Sequence, residues 1–134
     1  MAARESHRPV KLVLERTQMF GPVGYRARTE RRIVLGTGTD GKLAAIRHHV
    51  ISPTSTFEDW IESSAMVTRK LYACPNISTT HRLVKLELGT PAFQRAPGES
   101  TGNFAIESAM DELAYRLNVD PLQLRLRTYA DKHP

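Results

Sequence analysis

The chain reads as an α+β fold: a short, mostly antiparallel sheet built on a β-hairpin, with about three helices packed on one side. Three observations carry that reading. Between residues 31 and 51, two strand-forming runs flank Asp40-Gly41, a pair that accepts the positive φ angles of a tight hairpin turn. From Asn103 to Leu117, Ile106, Ala109, Met110, Leu113, Ala114 and Leu117 recur at the three-and-four spacing of one buried helical stripe. Asp120-Pro121-Leu122-Gln123 then restarts a helix, with Asp as N-cap, Pro in the first turn and Gln at the capping-box position.

The other elements follow in chain order. Pro9 to Leu14 alternates Val10, Leu12 and Leu14 with Lys11 and Val13, which predicts a short strand. Thr17 to Phe20 allows one helical turn before Gly21-Pro22 breaks it. In the hairpin, Arg32 to Leu35 forms the first run. Leu43 to Ile51 forms the second, with Ala44, Ile46, His48 and Val50 on one side. Gly36 and Gly38 suggest a bulge beside the turn. Ser52-Pro53-Thr54-Ser55 is expected to be a loop. A helix is expected from Glu58 to Leu71, with Trp60, Ile61, Ala65 and Thr68 near one stripe and Pro75 beyond its end. His81 to Leu88 reads as a buried strand, with Val84, Leu86 and Leu88 facing one way and Lys85 and Glu87 the other. Gly89 to Gly102 is a Gly- and Pro-containing loop that leads into the long helix.

A length of 134 residues suits one domain over residues 1–134, large enough for one core. Hydrophobic residues at 40% and charged residues at 25% exclude disorder as the default. No apolar run approaches a membrane span, and Met1 to Arg8 lacks the apolar stretch of a signal peptide, so no membrane partner and a cytoplasmic location are expected. Residues 1–32 hold eight basic side chains against three acidic ones, which accounts for the whole formal charge of +5. Such a stretch could make a small basic module for nucleic acid or an acidic protein partner. It has no helix-turn-helix, zinc-finger or aromatic RNP pattern, and a solvated face explains it equally.

Catalytic and metal motifs are missing. The five histidines, His7, His48, His49, His81 and His133, show no ligand spacing, and His48 and His49 must face opposite sides of a strand. No GxSxG, GxGxxG or Walker pattern occurs. The single cysteine, Cys74, excludes an internal disulfide, has no basic neighbour in sequence to activate it, and suits a small buried position.

The segment that stands out is Thr90-Pro91-Ala92-Phe93-Gln94-Arg95-Ala96-Pro97-Gly98-Glu99. It links a strand to the start of the best helix, where free backbone N–H groups and the positive end of the helix dipole meet. Arg95 adds a planar donor fork suited to oxyanions, Pro97 stiffens the loop, and Gly98 permits close backbone approach. Composition alone leaves two readings open, a ligand loop and a structural turn with a surface salt bridge.

Five blocks in order carry a family resemblance: Arg8-Pro9-Val10-Lys11-Leu12 with Met19-Phe20; Tyr72-Ala73-Cys74-Pro75-Asn76; Phe93 to Glu99; Glu107 to Ala114; and Asp120-Pro121 with Leu126-Arg127. Together these resemble an internal segment of the molybdopterin-binding large subunit of the xanthine dehydrogenase/aldehyde oxidase family, over residues 8–134. The resemblance implies a molybdenum–pterin cofactor, in bacteria commonly the cytosine dinucleotide form, and hydroxylation of aldehydes or N-heterocycles with water. It implies as partners the remainder of the molybdenum subunit, an iron–sulfur subunit and an FAD subunit. It places Gln94, Arg95, Ala96, Pro97 and Gly98 against the cofactor. The family's Gly-rich cofactor loop and its general-base glutamate match nothing in this sequence. The resemblance therefore implies no catalytic residue and no protein metal ligand here, and a chain inactive alone, for which cofactor bound and no cofactor bound both stay open.

Overall fold

The computed structural model describes residues 1–130; His133 lies outside them. A short helix α1 (Ala2–Ser6) and a 3₁₀ turn (Arg16–Phe20) precede the hairpin strands β1 (Glu30–Thr37) and β2 (Leu43–Ser55). A single helical turn α2 (Thr68–Leu71) leads to β3 (Ile77–Leu86), then to α3 (Glu99–Leu117) and α4 (Pro121–Thr128). The class is α+β, and the sheet order is β1-β2-β3.

The hairpin forms where the sequence places it. β1 and β2 pair antiparallel from Glu30–Ile51 to Thr37–Leu43, with a register shift at Gly36/Thr37 and Gly41 at φ 76° in the turn. β3 departs from the antiparallel expectation and runs parallel to β2, from Ile46–Ile77 to Ser55–Leu86. Parallel neighbours need a long return connection, and residues 56–76 provide it. The sheet is therefore mixed.

Four local expectations give way to the structure. Ser52–Ser55 is not a loop but the end of β2. Pro53 is tolerated there because β1 has already ended, which leaves one side of β2 unpaired. Pro9–Leu14 is irregular, with Leu12 and Val13 strongly exposed, because among the described residues no strand pairs with it. The helix expected over Glu58–Leu71 shrinks to Thr68–Leu71. Thr54 and Ser55 hydroxyls bond the backbone of Glu58 and Trp60 instead, and Ser64 N donates to Glu62 O at 2.7 Å. Side-chain oxygens of this kind compete with helix formation. In β3 the apolar side chains Val84 and Leu86 are exposed rather than buried, and Leu88 lies past the strand end. Cys74 is half-buried at the core edge, its Sγ 3.4 Å from Asn76 O.

The core lies between the sheet and α3. Ile106, Met110 and Ala114 of α3 meet Ile46, Leu43, Tyr72 and Leu124, all buried. Alternation puts Ile46, His48, Val50, Ser52 and Thr54 of β2 on the same inner face. That face is graded. At one end the row Leu35–Ile46–Ile77 is apolar; at the other, Arg31–Val50–His81 and then Ser52 are increasingly polar.

Helix α3 stops at Asn118, left-handed at φ 54°, whose N–H bonds Tyr115 O while Val119 N bonds Ala114 O. Asp120 then caps α4, its Oδ1 accepting from Gln123 N at 3.0 Å. Asp120→Ala is expected to cost about 1 kcal/mol, read as a lower urea midpoint with an unchanged slope. Glu107 joins the two helices, accepting from Tyr72 Oη at 2.5 Å and from Arg125 Nε at 2.7 Å. Burial and then the bond to Glu107 push the Tyr72 phenol above its ordinary pKa.

Candidate functional site

The loop over Gln94–Gly98 is set by its two ends. At its root, Ala92 N donates to Tyr25 O at 3.0 Å and Trp60 meets Phe93 edge-on, ring centroids 5.5 Å apart. Gly24 packs so close to Ala92 that a Cβ on it would lie 2.2 Å from the alanine Cβ. At its far end the loop becomes the first turn of α3, where Ser100 N bonds Ala96 O and Gly102 N bonds Gly98 O.

Between these ends the backbone is unusual. Ala96 is left-handed at φ 56° and Gly98 at φ 72°. A Cβ at Gly98 would sit 2.9 Å from the Ser63 backbone, so both conformation and space call for glycine. Gln94, Arg95 and Pro97 are exposed, Ala96 is half-buried and Gly98 is buried. Among the described residues, the N–H groups of Gln94, Arg95 and Ala96 have no hydrogen-bond partner. Of the five residues picked out in the sequence, Gln94 to Pro97 thus reach the surface in one run, while Gly98 lies buried beneath them.

Beneath the loop lies a carboxylate that sequence reasoning missed. Glu62 is 1% exposed; its Oε1 accepts from Arg26 at 2.5 Å and from Gly98 N at 2.9 Å. The second Arg26 nitrogen donates to Arg95 O. Gln94 Nε2 reaches Gly24 O at 3.3 Å, beside a cavity of about 610 Å³ lined by Met19, Phe20, Val23, Tyr25, Arg26 and Gln94. No local signal could have paired Arg26 with Glu62. The nearest hint was Ser63-Ser64, two small residues where another backbone must come close.

His48 and His81 face the polar end of the inner sheet face. His48 is fully buried, its Nδ1 2.7 Å from Thr68 Oγ1, while His49 on the opposite face contacts Thr80. Burial, then the charge of Arg31 and then His81, pushes the His48 pKa down to about 4. His81 Nε2 accepts from Ala65 N at 3.2 Å, and burial holds its pKa below the usual value. Among the described residues no three His, Cys, Asp or Glu side chains converge as metal ligands.

The basic stretch is partly neutralised. Arg26 pairs with Glu62, Arg28 with Glu30, and Arg31 is half-buried on the inner sheet face. That disposition does not favour a continuous nucleic-acid surface. No helix among the described residues is long and apolar enough to cross a membrane.

Comparison with known proteins identifies the fold and the family. The fold is shared with quinoline 2-oxidoreductase from Pseudomonas putida 86, at a TM-score of 0.83 and 21% identity, over 96% of this chain and 17% of that one. The chain belongs to the molybdopterin cofactor-binding domain family, whose sequence profile matches residues 1–129. It is 36% identical to the aldehyde oxidoreductase molybdenum-binding subunit PaoC of Escherichia coli (strain K12), over 94% of this chain and 17% of that protein. It is 30% identical to an aldehyde oxidoreductase of Megalodesulfovibrio gigas, over 95% of this chain and 14% of that protein. The chain thus spans less than one fifth of the length of these relatives.

Proposed function

We propose that Gln94, Arg95, Ala96, Pro97 and Gly98 form one wall of a molybdenum–pterin cofactor site, within an aldehyde oxidoreductase-type molybdenum hydroxylase. Residues 1–134 then act as one unit of its cofactor-binding domain. The observation that carries this reading is the row of unpartnered N–H groups at Gln94, Arg95 and Ala96, set where α3 begins. Donors of this kind, with the helix dipole behind them, suit the anionic and hydrogen-bonding edges of a pterin phosphate. When bound, the cofactor supplies the two-electron redox chemistry that adds oxygen from water to a carbonyl or ring carbon. The chain's own residues orient it. The Arg95 guanidinium offers a planar fork to an oxyanion, Pro97 limits loop motion, and bare Gly98 lets the loop sit close to Ser63.

None of the five residues can shuttle a proton in such a reaction. Glu62, the acid beneath the loop, is tied to Arg26 and to the Gly98 N–H. Binding without turnover by this chain alone is therefore part of the proposal. The family resemblance supports the finer assignments: a cytosine dinucleotide form of the pterin, kinship with xanthine dehydrogenases, and a cytoplasmic location. It also supports electron transfer to iron–sulfur and FAD partners.

The test is the pterin and molybdenum content of the full chain, purified from a host that makes the cofactor. Bound pterin is expected, read as its fluorescent oxidation product. Arg95→Ala is expected to lower it about tenfold, the effect of losing one charge-assisted hydrogen bond. A folded, soluble chain carrying neither pterin nor molybdenum overturns the proposal.

A further inference from the structure

We infer that Arg26 and Glu62 are positioning residues that aim the loop's backbone donors outward, an inference that rests on the cofactor reading of Gln94–Gly98 above. The loop does not hold its own shape. Ala96 carries a Cβ in the left-handed region, a conformation that persists only where the surroundings enforce it. The enforcement comes from one closed ring of bonds. Arg26 grips Arg95 O with one nitrogen and Glu62 Oε1 with another, and Glu62 Oε1 takes the Gly98 N–H. Ala96 and Pro97 are spanned between the two tied points.

The geometry of the peptide plane gives this ring its direction. In a trans peptide the carbonyl and the following N–H point opposite ways. Drawing Arg95 O inward to Arg26 therefore turns the Ala96 N–H outward, where among the described residues nothing accepts it. A lysine at position 26 could still pair with Glu62, but it has no planar fork with which to hold both acceptors in fixed geometry.

Glu62 is not placed for stability alone. It is 1% exposed, and among the described residues its Oε2 has no hydrogen-bond partner. The same holds for Nε of Arg31, a further charged group close enough to feel Glu62. A buried carboxylate satisfied on only one oxygen is a poor way to stabilise a fold. It is a good way to fix a backbone N–H and an arginine relative to each other.

The test uses the full chain from a cofactor-producing host, with Arg26→Lys, Glu62→Leu and Glu62→Gln beside wild type. Three quantities are read: Gly98 amide hydrogen exchange, bound pterin, and the unfolding midpoint. Glu62→Leu is expected to speed Gly98 exchange about tenfold, while Glu62→Gln, which keeps an acceptor, restores most of the protection. Arg26→Lys is expected to leave the midpoint near wild type and lower bound pterin about fivefold or more. Wild-type pterin with both Arg26→Lys and Glu62→Leu unchanged overturns the positioning role and leaves the cofactor reading intact. Faster exchange with pterin unaffected overturns it too, since the ring would then brace the loop without serving the ligand. A wild-type chain without pterin overturns the cofactor reading and this inference with it.

Discussion

Gly102→Ala is expected to destabilise the protein by about 2 kcal/mol, against the sign that helix propensity alone gives. In an exposed helix interior, alanine is favoured over glycine by roughly 1 kcal/mol. Gly102 is instead buried in the first turns of α3, where an added Cβ would lie 2.1 Å from Ser64 O and 2.6 Å from Val67 Cγ1. A side-chain methyl can move aside, but a backbone carbonyl held in the Glu62–Ser64 turn cannot do so cheaply. Overpacking of this kind costs up to ~3 kcal/mol, occasionally more, and outweighs the gain in propensity. Urea unfolding followed by far-UV circular dichroism measures the balance. A variant more stable than wild type would show that α3 does not rest on Ser64.

Stability is expected to fall by roughly 3 kcal/mol between pH 6.5 and pH 4, on the account of His48. In the fold this imidazole stays neutral down to about pH 4 because it is buried beside Arg31 and His81. In the unfolded chain it takes up a proton near pH 6.5. Across that window the unfolded state binds more protons, so each drop in pH favours unfolding, and above it the contribution is fully present. His81 shifts in the same direction and steepens the loss. Carboxylates also weaken folds in acid, but from lower pH. The distinguishing mark is a decline that is already under way between pH 6.5 and 5. His48→Gln, which keeps a polar group near Thr68, is expected to remove most of that early decline. A wild-type curve flat from pH 7 to 5 would rule out a neutral buried histidine.

What could be read from the sequence was what depends on near neighbours. The Asp40-Gly41 turn, the Ile106–Met110–Ala114 stripe and the Asp120 cap are each set by residues within a few positions of one another, and each forms as expected. The Gln94–Gly98 loop was also visible, because its Pro, Gly and Arg sit next to a strong helix start. The misses share a cause in long-range contact. Residues 58–67 looked helical by spacing, yet hydroxyls of Thr54 and Ser55 and the close approach of Gly102 hold them irregular. The sheet was expected to be mostly antiparallel, and only the path of residues 56–76 decides that β3 runs parallel to β2. Glu62 carried no signal of its own in the sequence. Its partners, Arg26 and Gly98, each lie 36 residues away in opposite directions.

That spacing also fixes an order of events. The hairpin and the α3–α4 pair close over short stretches of chain, whereas the bonds from Gly24 and Arg26 to the loop span 70 and 69 residues. Long closures lose more chain entropy before they gain any contact, so they complete after the short ones and come apart before them. During synthesis, Gly24 and Arg26 emerge long before the residues they are to hold. Until Gly98 has been made, the buried seat of Glu62 is open, and the loop that caps it is expected to close after the hairpin does.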